Sequence, residues 1–218
     1  MVSGGSSRIL GDSATRIKHN GEFVYESLLG NKLGLEIIQL LEEISLEHTI
    51  IACTREGAVI KENIPQEEAA IVRGSYAQVR QVSDFKEITD DFVKITIHDA
   101  SLNCFETREK LAPFFESAYI VASEADWIDI ANANVHKGTT VEQLQQILNV
   151  SPEETLAFGD GYNDLELMKR AAYNFAVRNA VQELKDAANF ITRANEEDAV
   201  MKTIVQLLSL QENVKVTE

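Results

Sequence analysis

From Thr139 onward the chain alternates between helical and extended patterning. Val141, Leu144, Ile147 and Leu148 share one helical face across Thr139–Leu148. Ser151-Pro152-Glu153-Glu154 supplies an N-cap, a proline at the first helical position and a capping-box acid, enough for one short turn. Leu156-Ala157-Phe158 is brief, apolar and followed by glycine, as a buried strand should be. The pattern then predicts a helix over Asp164–Ala172, a strand at Phe175–Val177, a helix over Val181–Ala188, a strand at Phe190–Thr192 and a helix over Asp198–Leu208. Strands and helices in strict alternation predict βαβ units and a parallel sheet covered on both faces, an α/β fold.

The middle of the chain is patterned differently. Leu35–Ile44 predicts an amphipathic helix, and His48–Thr54 and Ala58–Lys61 predict strands joined near Arg55-Glu56-Gly57. In Phe92–His98, Val93, Ile95 and Ile97 alternate with Lys94 and Thr96, the signature of a half-buried strand. Phe105–Ser117 predicts a second helix, kinked at Pro113, and Tyr119–Ala122 and Trp127–Ile130 add two strands. This stretch reads as a separate α+β layer inserted into the α/β domain, with Trp127, Phe114 and Phe115 expected in its core. The polar tail Gln211–Glu218 is expected to fray.

Composition narrows the function. The 218 residues are 44% apolar and 25% charged, as in ordinary globular proteins. A formal charge of −15 and a pI near 4.7 argue against nucleic-acid and anionic-membrane partners, which would repel the chain at long range. A small phosphorylated molecule could still bind beside a cation. Cys53 and Cys104 lie far apart and outside any Cys/His cluster, so buried free thiols are expected rather than a disulfide or a zinc site. No apolar run approaches the roughly 18 residues of a membrane span, and MVSGGSSRIL lacks the basic start and apolar stretch of an export signal. A cytoplasmic protein is the expectation.

The chemistry concentrates in FGDGYNDLELM, Phe158–Met168. In an open parallel sheet, ligands bind beyond the carboxyl ends of the strands, and Asp160 stands two residues after Phe158 at such an end. Gly159 and Gly161 permit a tight turn and a close backbone approach, and Asn163 and Asp164 open the next helix, where free N–H groups favour anions. A bare D-G or N-D step is ordinarily a turn former. The compound string is more specific, yet Asp160 and Asp164 alone are too few acids for a metal-assisted reaction.

FGDGYNDLELM resembles the fourth motif of the haloacid dehalogenase (HAD) superfamily, in its Cof-like subgroup, where G-D-x-x-N-D stands at a strand end. DIANANVHKGTTVEQL resembles the third-motif region, with Lys137-Gly138 opening a helix, and FAVRNAVQELKDAANFITRANEEDAV resembles the stretch that closes the family core. IKHNGEFVYE resembles the strand and N-G turn that precede the family's cap. The resemblance implies a Rossmann-like core from residues 1–27 and 131–218 and an α+β cap from residues 28–130. It implies a Mg²⁺-dependent phosphatase acting on a small phosphorylated substrate of the sugar phosphate class, through an aspartyl-phosphate. Asp160 would be a direct Mg²⁺ ligand, Asp164 would hold the metal shell or the lysine, and Asn163 would contact a phosphoryl oxygen or the ion. Lys137 would offset the charge of the phosphate. Asn20 and Gly21 form either a simple turn or a substrate contact, and His136 is expected to be a surface residue.

One part of the family pattern does not occur. The first motif, D-x-D-G-T or D-x-D-G-S, carries the nucleophile and the acid/base, and no D-x-D of any kind exists in the 218 residues. The second motif, Thr or Ser before Gly-Arg, has no counterpart either. The expectation is a chain that begins near the family's third core strand, leaving Leu156–Phe158 with an open apolar edge. Two consequences are expected: self-association through that edge, and negligible turnover by this polypeptide alone. The alternative is a regulatory pseudo-phosphatase that binds phosphate without hydrolysing it.

Overall fold

The computed structural model describes residues 9–12, 15–19, 21–45 and 47–215. The chain forms two compact units, Met1–Thr140 and Val141–Glu218.

The first unit opens with a three-stranded antiparallel sheet, β1 (Ile9–Asp12), β2 (Arg16–His19) and β3 (Glu22–Glu26). Helix α1 (Asn31–Ile44) follows, then β4 (Thr49–Thr54), β5 (Gly57–Lys61), α2 (Gln66–Ser75), β6 (Val79–Val82), β7 (Lys94–His98), α3 (Cys104–Lys110), β8 (Ala118–Ala122) and β9 (Trp127–Asn132). Six of these strands make one sheet in the order β6-β5-β4-β7-β9-β8, antiparallel throughout except for β5 beside β6.

The period-two pattern explains why this sheet is covered on both faces. Ile50 and Ala52 of β4, Ile95 and Ile97 of β7 and Ile128 and Ile130 of β9 turn to one side, where they pack with Ile37, Ile38 and Leu41 of α1. Ile51 and Cys53 of β4 and Ala58 and Ile60 of β5 turn to the other, against Ala69 and Val72 of α2. Only part of this second face lies under α2. Further along it, β7 and β9 present Lys94, Thr96, Trp127 and Asp129 instead of aliphatic side chains. Cys53 and Cys104 are buried free thiols.

Helix α4 (Lys137–Leu148) runs across the division between the units. The second unit contains β10 (Leu156–Gly159), α5 (Leu165–Met168), β11 (Tyr173–Ala176), α6 (Gln182–Ala187), β12 (Phe190–Ile191) and α7 (Ala199–Lys215). Its strands form a parallel sheet in the order β10-β11-β12, the βαβ arrangement the pattern predicts. Ala157, Met168, Ala176, Val177 and Leu184 make its buried core, and Phe158, Phe175 and Phe190 stack across the three strands at centroid distances of 5.3 and 4.9 Å.

Several elements depart from the pattern reading. The helix expected over Phe105–Ser117 stops at Lys110, and Pro113, which has no N–H to donate, sits in a separate 3₁₀ turn, Ala112–Phe114. The helix expected over Asp164–Ala172 is a single turn, Leu165–Met168, entered through the 3₁₀ turn Tyr162–Asp164. At the other end of the chain, α7 continues through Gln211 to Lys215, since Gln211, Glu212 and Lys215 are good helix formers, and the rest of the tail expected to fray lies outside the described residues. Phe115 is 37% exposed, with the Arg108 guanidinium 4.6 Å from its ring, and Phe114 packs at the edge of the core.

Candidate active site

The turn after β10 is fixed from both sides of its backbone. The Asp160 N–H donates to Asp164 Oδ2 at 2.9 Å, and the Gly161 N–H reaches the same oxygen at 3.3 Å. The Asp160 carbonyl accepts from the Val181 N–H at 3.0 Å, and the Gly159 carbonyl accepts from the Val177 N–H at 3.1 Å. Gly159 is required here by space: a Cβ on it would lie 2.6 Å from the Asp164 Cβ. Asp164 is buried at 3% exposure and braces the loop through Oδ2.

Asp160 itself is exposed, and its carboxylate has no protein partner among the described residues. Asn163, half-buried, shares the 3₁₀ turn with Asp164. The helix that follows is one turn long, so its start adds little helix dipole to the free N–H groups expected there. An exposed carboxylate on an anchored backbone, beside an amide side chain, suits a hard cation such as Mg²⁺. That ion takes oxygen ligands, usually one or two carboxylates, and keeps several waters. Among the described residues no group of three or more His, Cys, Asp or Glu could hold a metal ion by itself.

Lys137, in the first unit, begins α4 and is half-buried. Its neighbour His136 turns out to be part of the helix start: the Thr139 N–H donates to His136 Nδ1 at 3.2 Å, and the His136 N–H donates to Thr139 Oγ1 at 3.1 Å. This reciprocal cap satisfies two backbone donors that an uncapped helix would leave open. The Tyr119 ring is tilted against the His136 ring, with centroids 5.5 Å apart. Gly21 forms the turn between β2 and β3 with φ of +92°, a conformation that favours glycine, and it is exposed. Asn20 lies outside the described residues.

A second polar constellation, on the six-stranded sheet, escaped the sequence reading. Lys94 Nζ and Thr96 Oγ1 both donate to Asp129 Oδ1, at 3.3 and 3.1 Å, and Trp127 and Tyr76 flank them around a cavity of about 430 Å³. Burial works against the Lys94 charge, yet Asp129 raises its pKa above the ordinary value. Burial also pushes the Tyr76 phenol up to about 12. The alternation of Phe92–His98 does place Lys94 and Thr96 on one face. That Asp129 stands opposite Thr96 is a matter of strand register, which one strand cannot reveal.

Residues 14–204 match the sequence profile of the haloacid dehalogenase-like hydrolases. The chain belongs to that family. Among curated HAD relatives, it is 24% identical over 163 residues to the 5-amino-6-(5-phospho-D-ribitylamino)uracil phosphatase YbjI of Escherichia coli (strain K12), covering 74% of this chain and 60% of that one. It is 37% identical over 84 residues to the phosphatase of the same description, YwtE, of Bacillus subtilis (strain 168), covering 38% of this chain and 29% of the other. The chain thus spans less than two thirds of the length of these relatives, 60% of the first and 29% of the second. Among solved HAD folds, SMU.1108c from Streptococcus mutans UA159 superposes with a TM-score of 0.84 at 24% identity, over 90% of this chain and 75% of that one. The HAD subclass IIB sugar phosphatase BT4131 superposes with a TM-score of 0.76 at 18% identity, over 89% and 73%. These likenesses establish the Rossmann-like HAD fold for the chain. No helix among the described residues is long and apolar enough to cross a membrane.

Proposed function

We propose that the chain carries the metal-binding half of a HAD phosphomonoesterase, with a core from residues 1–27 and 131–218 and a cap from residues 28–130. The observation that carries this reading is Asp160: an exposed carboxylate without a protein partner among the described residues, at the carboxyl end of β10 on a backbone pinned at N–H and carbonyl. The names of the curated phosphatases it resembles support the same reaction class.

Asp160 and Asn163 would hold Mg²⁺, which when bound supplies positive charge to the phosphoryl oxygens. Asp164 acts on the loop, fixing the direction of the Asp160 carboxylate through two amides. Lys137 is a cation for the phosphate, and Gly21 with Asn20 is a second candidate contact. The substrate is a small phosphorylated compound of the sugar phosphate class, and nucleic acid is no partner of so acidic a chain.

A second reading rests on the absence of any D-x-D in the 218 residues. Without an attacking aspartate, the covalent route has no nucleophile, and the residues here bind phosphate and metal without turnover. The chain alone is therefore expected to bind Mn²⁺, used as a paramagnetic probe of the Mg²⁺ site, with broadening centred on Asp160 and lost in Asp160→Asn. It is expected to hydrolyse an aryl phosphate no faster than buffer. Mg²⁺-dependent turnover that Asp160→Ala abolishes would overturn the non-catalytic reading. Absence of any Mn²⁺ effect at Asp160 would overturn the metal-binding one.

A further inference from the structure

The second unit holds a cavity of about 450 Å³ between its parallel sheet and α7. One wall follows from helix periodicity. Ala199, Thr203, Gln206, Leu207 and Leu210 fall on one face of α7. At the start of the helix this stripe is closed, with Ala199 1% and Thr203 6% exposed, whereas Leu210 near its end is 56% exposed. The helix therefore packs on the core of the unit at its start and leaves a space further along, walled by Phe175, Ile191, Leu207 and Leu210. The volume lies within the range of small-molecule sites, roughly 300–1,000 Å³.

The polar part of the wall is made of donors. Arg178 follows β11 and Arg193 follows β12, and the Arg178 N–H donates to the Arg193 carbonyl at 3.3 Å, which sets the two arginines side by side. Arg178 is already engaged: its Nη2 donates to Glu197 Oε2 at 2.6 Å, and that oxygen also accepts from the Ala194 N–H at 2.9 Å. The Arg193 guanidinium, with its five N–H donors, has no hydrogen bond or ion pair among the described residues. Across the cavity, Thr192 Oγ1 and Thr203 Oγ1 lie 2.6 Å apart. One hydroxyl donates to the other, so the accepting one keeps a hydrogen for which no protein acceptor exists among the described residues, although Thr203 is buried.

Charge sets the class of ligand. The chain carries −15 overall, yet among the described residues no acid lines this cavity, and Glu197 beside it is paired with Arg178. One uncompensated guanidinium matches a single negative charge, and its planar fork matches the two oxygens of a carboxylate. The apolar wall takes the carbon body of such an anion. Inorganic phosphate would answer the charge and leave Ile191 and Leu210, 58% and 56% exposed, still in water.

We infer that this cavity binds a small monocarboxylate with an aliphatic or aromatic body, through Arg193, the Thr192–Thr203 hydroxyl pair and the apolar end of α7. None of the lining residues belongs to the Asp160 turn or to the six-stranded sheet, so the site is separate from the metal-binding turn proposed above.

The test titrates hexanoate, octanoate and benzoate into the full chain and follows the amide NMR shifts of Thr192, Arg193, Thr203 and Leu207. Saturable shifts are expected, with affinity rising about fourfold for each methylene between hexanoate and octanoate. Arg193→Gln is expected to lower octanoate affinity at least about tenfold. The urea midpoint of that variant should not change, because the exposed Arg193 side chain has no partner to lose. Arg193→Lys, which keeps the charge without the fork, is expected to fall between the two. Octanol and octylamine, which carry the same body without the anion, are expected to bind at least about tenfold more weakly than octanoate. No saturable shift with any carboxylate would overturn the inference, as would octanol or octylamine binding as tightly as octanoate. So would shifts at these residues on dilution of the chain alone, which would place a second copy in the cavity, or inorganic phosphate binding where carboxylates do not.

Discussion

Asp164 is expected to hold the metal shell or the lysine, and its Oδ2 also braces the turn that presents Asp160. Removing that oxygen leaves two amides beside a buried position without their acceptor, a loss of about 1–3 kcal/mol. Asp164→Ala is therefore expected to lower the urea midpoint of the second unit, with Asp164→Asn recovering part of the loss because its amide oxygen still accepts. Equal midpoints for Asp164→Ala and the parent chain would remove the brace. A different residue sets the acid response. Burial pushes the His48 imidazole below its ordinary value of 6.5, against the opposing pull of Asp99, whose Oδ2 is 3.6 Å from Nε2. Thr107 also faces this ring, at 3.4 Å, and Lys110 adds a smaller repulsion. A base whose pKa is lower folded than unfolded takes its proton first in the unfolded chain, so stability is full above the ordinary value and falls as pH drops through it. Asp99 is itself held below 3.8: burial opposes its charge, but hydrogen bonds from Ser101 outweigh it, and its contribution is lost only at more acid pH. The first unit is expected to lose stability as pH falls through the ordinary imidazole value of 6.5. Chemical denaturation on either side of that value should show a flatter profile for His48→Gln.

Helix α1 shows how an element is specified by more than its apolar stripe. Gly34 lies on its buried face, where a Cβ would come within 2.3 Å of the Phe92 ring, itself fully buried. Ala is the better helix former by roughly 1 kcal/mol, and in a free helix Gly34→Ala would stabilise. Here the overlap is with an aromatic ring that has no room to move, so the substitution is expected to cost about 1–3 kcal/mol in equilibrium unfolding. A stabilised variant would mean that Phe92 can repack. Elements with a wide apolar stripe, α1 and the strands β4, β5, β7 and β9, were legible for this reason. Helix α2 and strand β6 were not: α2 buries only Ala69 and Val72, and β6 buries only Val82. Pro65 with Glu67 and Glu68 in the first turn was a usable start signal for α2, since proline and acidic residues favour helix N-termini.

At the scale of the whole molecule, the parallel sheet has an exposed flank. Among the described strands β10 pairs with β11 alone, which leaves its other edge without a described partner strand. An unpaired strand edge is a template for another chain, so we propose self-association through β10. Sedimentation velocity is expected to show concentration-dependent dimers or larger species, reduced by a proline at Ala157 or Phe158; a monomer at all concentrations would count against it. The sequence by itself determined the α/β alternation, the family, the turn that carries Asp160 and the absence of D-x-D, because these are local: periodicity and short motifs are written in neighbouring residues. Only the tertiary structure decided that Asp164 braces its own turn, that His136 caps α4, and that Lys94, Asp129 and Trp127 share a cavity. Those facts depend on strand register and on side chains meeting across a fold, where Lys94 and Asp129 are 35 residues apart in sequence.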